Sequence, residues 1–166
     1  FKRDLRVTDH RALASAARHG PVLPLYIAEP GLWREPDMAG RHWAFIEESL
    51  VELRKSLATL GQPLVVRVGE AIDVLETLRA AGHLTALWSH EETGNAWTYE
   101  RDKRIAAWCQ DHSIPWHELR NHGVQRRLKS RDGWAKNWDR FMAEPVVDAP
   151  RLSSVALDPG GIPTAR

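Results

Sequence analysis

The segment from Pro21 to Val68 reads PVLPLYIAEPGLWREPDMAGRHWAFIEESLVELRKSLATLGQPLVVRV and decides the fold. It begins with an apolar run at residues 21–27 and ends with another at residues 63–68, and both are typical of strands. Between them, apolar residues recur at steps of three and four from residue 41 to residue 60, which predicts a helix with one buried face. Strand, helix and strand in this order predict two parallel strands joined by a crossover helix.

The same alternation continues towards the C-terminus. Residues 71–81 predict a helix, 84–88 a strand, 97–112 a helix and 114–119 a short edge strand. With one more strand expected before Phe1, the sequence predicts an α/β fold: a doubly wound, Rossmann-like parallel sheet of about five strands with helices on both faces. We expect this domain to occupy residues 1–144. Residues 145–166 contain four Pro and two Gly, which predicts an interdomain linker or tail.

Composition narrows the classes of function. A net charge of +1 gives no overall case for binding nucleic acid, although residues 120–140 hold seven Lys or Arg against two Asp. That segment therefore predicts either a nucleic-acid contact or a basic loop that faces solvent or a partner domain. Cys109 is the single cysteine, which predicts a reducing, cytoplasmic setting. No apolar run approaches the length of a membrane span, so no membrane contact is expected.

Several motifs that carry chemistry are absent. The chain has no G-x-G-x-x-G after a strand, no G-x-x-x-x-G-K loop, no G-x-S-x-G elbow and no pair of His or Cys at zinc spacing. His10 and His90 are candidates for an acid or a base, but the sequence suggests no partner for either. We therefore predict no catalytic residue and no metal ligand in this chain.

A ligand is expected outside the carboxyl ends of the strands, where parallel sheets form their binding crevices. Four loops meet there: residues 2–10, 28–40, 89–96 and 120–131. Cations that could neutralise a phosphate or a glutamate-type tail are Arg3, Arg6 and Arg41, with Lys2. Groups that could bracket the N–H edge of a heteroaromatic ring are Asp4, Glu91, Glu92 and Asn95, beside Trp33, Trp43 and Trp97. The alternative is that these side chains form ordinary solvated ion pairs.

Three segments resemble the N-terminal domain of the DNA photolyase/cryptochrome family. Residues 1–10, FKRDLRVTDH, are similar to the family pattern W-F-R-x-D-L-R-x-x-D-N, with His10 in place of the usual Asn. Residues 41–70 are similar to the family's R-x-x-F-L-x-x-S-L-x-x-L helix and the G-x-x-L-x-V strand that follows it. Residues 99–102, YERD, resemble the E-R-D that opens a later helix. The resemblance spans residues 1–120.

The resemblance implies a light-harvesting role. In the family this domain holds an antenna chromophore, which is a folate, a deazaflavin or FMN, while FAD lies in a C-terminal helical domain that this sequence does not contain. The whole protein is then expected to be a deoxyribodipyrimidine photo-lyase that acts on UV-damaged DNA. A cryptochrome-type blue-light receptor, or a stand-alone nucleotide-binding or signalling module, remain alternatives. By itself the fragment lacks a catalytic site.

Overall fold

A computed structural model describes residues 1–126 and 128–164. Its helices are α1 (Arg11–Ala17), α2 (Gly40–Leu60), α3 (Ala71–Ala80), α4 (Ala96–Asp111) and α5 (Trp134–Met142), and a short 3-10 helix covers Leu32–Arg34. Its strands are β1 (Leu25–Ala28), β2 (Val65–Val68), β3 (Leu87–His90) and β4 (Trp116–Leu119). None of the helices in this part of the chain combines the length and apolar character that crossing a bilayer requires.

The strands form two parallel pairs. β1 pairs with β2, with Leu25 opposite Val65, and β3 pairs with β4, with Leu87 opposite Trp116. Within the described residues no strand joins β1 to β3, so the predicted sheet of about five strands is not confirmed. β1 and β3 begin at residues 25 and 87, later than the predicted 21 and 84, because extended residues count as a strand only where a neighbour pairs with their backbone.

Helices cover both faces of the strands. Alternate residues of β1 point to opposite faces, so they contact different helices. Tyr26 and Ala28 lie in one apolar cluster, which also contains Leu13 of α1 and Leu50, Leu53 and Leu57 of α2. Leu25 and Ile27 pack against a second cluster, which contains Ala71 and Leu75 of α3 with Ile105, Trp108 and Cys109 of α4. This arrangement is the α/β layering that the sequence predicts.

Helix α2 supplies the buried face that its periodicity predicts. Leu50, Leu53 and Leu57 are between 0% and 3% exposed, whereas Val51 on the opposite face is 39% exposed. Gly61 ends the helix at φ 118°, and its α-carbon lies directly against the backbone of Leu152. A side chain at residue 61 would collide with that backbone, so both conformation and space require glycine there.

Residues 145–164 contain no helix or strand, yet they pack on the domain. Leu152 is buried, and its N–H donates to the carbonyl of Leu60 at 2.7 Å. Further along, the carbonyl of Pro159 accepts from the Val66 N–H at 2.8 Å. The predicted linker role of residues 145–166 stays a prediction, and Ala165 and Arg166 lie outside the described residues.

Truncation of α2 at its buried face should destabilise the fold. We expect Leu57→Ala to lower the free energy of unfolding by about 2–5 kcal/mol, because the lost methyl groups leave a cavity in a packed core. Val51→Ala on the exposed face is the matched control and should change that free energy by less than about 0.5 kcal/mol. Urea denaturation followed by circular dichroism measures both; equal losses would contradict the assigned helix face.

Candidate ligand site at the carboxyl ends of the strands

A cavity of about 800 Å³ runs from the loops at the carboxyl ends of β1 and β3 into the space between these strands. Its outer part is polar and is bordered by Arg3, Asp37, Arg41, Glu92 and Asn95. Its inner part is apolar and is bordered by Leu13, Leu25, Ile27, Leu75, Leu87 and Ile105. The polar mouth, which Trp33 and Phe45 also border, suits a ligand that combines an anionic group with a flat ring.

Buried charged side chains form ion pairs with one another beneath the mouth of the cavity. The Arg101 guanidinium donates to Glu29 at 2.6 Å, to Glu92 at 3.2 Å and to Asp102 at 2.9 Å. Lys2 adds a second cation, with its Nζ 2.8 Å from Asp102. Burial raises the pKa of Glu29, and the adjacent Arg101 charge opposes this rise. Glu29 follows β1 and Glu92 follows β3, so one arginine from α4 ties the two strand pairs together.

Asp4 lies at the centre of a second buried cluster. One of its carboxylate oxygens accepts from Nδ1 of His90 at 2.6 Å and lies 3.0 Å from Nε2 of His10. Burial alone would raise the pKa of Asp4, but the two imidazoles beside it lower that pKa well below its usual range. Burial likewise lowers the pKa of His10, against the opposing effect of Asp4. Asp4 is thus a neighbour of both His10 and His90 that the sequence did not reveal.

Five of the seven predicted binding residues border the cavity: Arg3, Asp4, Arg41, Glu92 and Asn95. Glu92 accepts from the N–H of Gly94 at 2.8 Å and from Arg101, so its carboxylate already has protein donors. Asn95 caps α4 by accepting from the Thr98 N–H at 3.0 Å. Arg3 and Arg41 are exposed at the mouth, and neither forms an ion pair among the residues that the structure describes.

The other two predicted residues, Arg6 and Glu91, are not among the residues that border the cavity. Arg6 donates to the carbonyl of Asp9 and to Oδ1 of Asn121, both at 2.8 Å, and so holds two loops together. Glu91 lies 3.4 Å from the guanidinium of Arg126. Both side chains are occupied by structural partners. Their predicted role in binding a chromophore stays a prediction that these contacts do not support.

Of the three tryptophans predicted to lie beside the ligand, Trp33 borders the cavity, whereas Trp43 and Trp97 are not among the residues that border it. Trp33 meets Trp43 edge-on, with ring centroids 4.9 Å apart. Nε1 of Trp33 is buried and has no hydrogen-bond partner in the described structure. Asp37, which sequence reasoning missed, borders the cavity and accepts from Nδ2 of Asn95 at 3.0 Å. The sequence could have identified Asp37, because it lies in a loop that follows β1, and ligands bind at the loops that follow parallel strands.

The basic segment at residues 120–140 is partly neutralised within the domain. Arg126 donates to Glu118 at 2.9 Å, and the Arg120 guanidinium lies 4.5 Å from the ring centroid of Phe141. Lys129, Arg131, Lys136 and Arg140 are exposed, and Arg127 lies outside the described residues. The geometry therefore leaves both predicted alternatives for this segment open.

Comparison with known proteins identifies the family. The family model described as DNA photolyase matches residues 1–128. The chain belongs to the DNA photolyase family. It is 48% identical over 67 residues to a deoxyribodipyrimidine photo-lyase of Salmonella typhimurium, covering 39% of this chain and 14% of that protein. It is 37% identical over 95 residues to Cryptochrome-1 of Sinapis alba, covering 54% of this chain and 18% of that protein.

Solved structures of the family share the fold. An archaeal photolyase from Sulfolobus tokodaii, described with two FAD molecules and a novel light-harvesting cofactor, superposes with a TM-score of 0.75 at 23% identity. The superposition covers 93% of this chain and 37% of that one. A Synechocystis cryptochrome superposes with a TM-score of 0.77 at 17% identity, covering 93% and 36% of the respective chains. The chain thus spans less than two-fifths of these family members.

Loss of the Arg101 guanidinium should destabilise the folded protein. We expect Arg101→Gln to lower the free energy of unfolding by about 3–5 kcal/mol, because buried carboxylates would lose their main counter-ion. Arg104→Gln, at an exposed position of the same helix, should change it by less than about 0.5 kcal/mol. Chemical denaturation of both variants tests this. An Arg101→Gln variant as stable as the wild type would show that the cluster contributes little.

Proposed function

We propose that this domain is the light-harvesting, antenna chromophore-binding domain of a photolyase-type flavoprotein. The observation that carries the proposal is the polar mouth of the cavity at the carboxyl ends of the strands, which Arg3, Arg41 and Trp33 border. The chromophore class is a folate, a deazaflavin or FMN, since each combines a flat heteroaromatic ring with an anionic tail or phosphate. The domain would then absorb light for a flavin held elsewhere in the protein.

The positive charge at the mouth of the cavity supports the binding of an anionic ligand. Arg3 and Arg41 are the two predicted cations that border the cavity and are not engaged in an ion pair among the described residues. Guanidinium groups bind carboxylates and phosphates in a bidentate manner. The ligand's anionic tail would lie against these two side chains.

Apolar and aromatic side chains support a flat ring. Trp33, Met38 and Phe45 border the same cavity, and Phe45 is 71% exposed although it is a large apolar residue. The buried Nε1–H of Trp33 has no acceptor among the described residues, and a ring carbonyl or ring nitrogen of the ligand would supply one. Burial of this exposed aromatic surface would favour binding.

For the whole protein we propose light-driven electron transfer that repairs pyrimidine dimers in UV-damaged DNA, with FAD in a C-terminal domain. This proposal rests on membership of the family and on a relative with photo-lyase in its name. A blue-light receptor is the second candidate, because cryptochromes are among the relatives. Repair of a cyclobutane dimer in an oligonucleotide under blue light, by the complete gene product loaded with FAD, distinguishes the two. A cytoplasmic location stays a prediction.

A stand-alone nucleotide-binding or signalling module is favoured by one observation. Residues 145–164 pack on the domain, with Leu152 buried, so a free linker is not evident. Such a module would bind a nucleotide at the same mouth without needing FAD. Binding of AMP or ATP in preference to the three chromophores, measured by isothermal titration calorimetry, would support the module over the antenna domain.

We also propose that an extended segment between β1 and β3 completes the predicted sheet of about five strands. The edges of both strands border the apolar part of the cavity, and the Phe1 ammonium already donates to the carbonyl of Leu25 at 2.8 Å. A parallel strand placed there would pair with both edges. In a version of the protein extended before Phe1 with its natural sequence, the amides of Val22, Leu23 and residues 84–86 should gain protection from hydrogen exchange. Unchanged exchange would overturn this proposal.

Chromophore binding should depend on Arg41. We expect Arg41→Gln to weaken binding of FMN, folate or deazaflavin by about 10- to 100-fold, the effect of losing one charge-assisted hydrogen bond. Lys55→Gln, at an exposed position of the same helix, is the matched control and should bind as the wild type does. Fluorescence titration of each chromophore measures the affinities. A protein that binds none of the three contradicts the antenna proposal.

A further inference from the structure

The cluster of Asp4, His10 and His90 contains more unsatisfied groups than a structural hydrogen-bond cluster normally does. All three residues are between 4% and 5% exposed. Nε2 of His90 is buried without a hydrogen-bond partner in the described structure, and Nε2 of His10 lies 3.0 Å from the Asp4 carboxylate without the geometry of a hydrogen bond. The two imidazole rings lie 4.4 Å apart between centroids, so both rings border one small volume beside Asp4. Buried nitrogens without a partner are rare in folded proteins, and an ion bound at Nε2 of His10 would supply one of the two missing partners.

The same three side chains offer three ligand atoms for an ion. One imidazole nitrogen from each histidine and one carboxylate oxygen of Asp4 all lie within 4.8 Å of one another. Ligands that surround Zn²⁺ tetrahedrally at about 2.0–2.2 Å lie about 3.3 Å from one another. The contacts from Asp4 are 2.6 Å to Nδ1 of His90 and 3.0 Å to Nε2 of His10, so Asp4 would need to move away from these nitrogens by about 0.7 Å and about 0.3 Å.

We propose that Asp4, His10 and His90 form a binding site for a borderline divalent transition-metal ion, of which Zn²⁺ is the representative. Two imidazoles with one carboxylate suit Zn²⁺, Co²⁺ or Fe²⁺ and do not suit Mg²⁺ or Ca²⁺, which prefer sites made of oxygen ligands. Water, or a group of a ligand in the adjoining cavity, would complete the coordination, since Asp4 and His10 border that cavity. The site does not depend on the proposed antenna function.

Metal binding has a specific consequence for His10. In the described structure its Nδ1 accepts from the Leu13 N–H at 3.0 Å, which places the ring proton on Nε2. A metal bound at Nε2 requires that proton to move to Nδ1, so the Leu13 amide must lose its acceptor. The amide resonance of Leu13 therefore reports directly whether His10 becomes a ligand.

The metal would link three parts of the fold. Asp4 belongs to the N-terminal loop, His10 precedes α1, and His90 is the last residue of β3. An ion shared by these residues would fix the N-terminal loop against the carboxyl end of β3. We expect saturating Zn²⁺ to raise the melting temperature, because a ligand that binds only the folded state stabilises that state.

The test uses the whole chain after treatment with a chelator. We expect one equivalent of Co²⁺ to give the intense visible absorption of a four-coordinate ion, and Zn²⁺ to displace it. Isothermal titration calorimetry should give one tight Zn²⁺ site, whereas Mg²⁺ and Ca²⁺ should give none. In the wild type, Zn²⁺ should also shift the Leu13 amide resonance.

Variants identify the ligands. His10→Asn and His90→Asn should each weaken Zn²⁺ binding more than about 100-fold, since loss of a supporting residue alone costs 10- to 100-fold. His83→Asn removes an exposed histidine and should leave the affinity unchanged. Circular dichroism establishes that each variant folds. If one does not, the Co²⁺ spectrum and the Leu13 shift of the wild type decide the matter.

Three results would overturn the proposal. The first is a wild type that takes up no stoichiometric Co²⁺ or Zn²⁺. The second is an unchanged affinity for zinc after both substitutions, which would place the ion on surface histidines. The third is zinc binding without any change at Leu13, which would exclude His10. In each case the cluster is a hydrogen-bonded arrangement of one aspartate with two histidines.

Discussion

The buried guanidinium of Arg101 is the interaction on which the rest of the structure depends. It reaches Glu29 after β1 and Glu92 after β3, and these two strands have no backbone hydrogen bonds to each other in the described residues. Apolar packing covers the faces of each strand pair, but it does not fix how the pairs meet at the mouth of the cavity. Charge-assisted hydrogen bonds have strict geometry, so one arginine sets the relative position of the loops that border the cavity.

The helices follow from the sequence more closely than the strands do. A helix satisfies its own backbone groups, and the apolar periodicity of α2 therefore predicts its bounds to within one residue. A strand depends on a neighbour, which local sequence does not reveal. Residues 22–23 and 84–86 have the composition of strands but lie outside β1 and β3, because the described chain pairs no strand with them.

The candidate site was predictable only in outline. Loops at the carboxyl ends of parallel strands are brought together by the topology, and this places Arg3, Arg41 and Glu92 around one cavity. Which way each side chain points was not predictable, since Glu91 and Glu92 are neighbours and still have different partners. The meeting of Asp4 with His90 joins residues 86 positions apart, and no spacing rule for short motifs detects such a pair.

The packed C-terminal segment also changes what the sheet presents to other molecules. β2 is an outer strand, and outer strands carry unpaired backbone groups on which a second chain can add by hydrogen bonding. The carbonyl of Pro159 accepts a hydrogen bond from the Val66 N–H, and the guanidinium of Arg67 donates to the carbonyl of Asp158. Proline and irregular backbone at this border cannot propagate a sheet. Residues 145–164 therefore protect the domain against self-association through β2, a protection that any version of the protein shortened to residue 144 would lack.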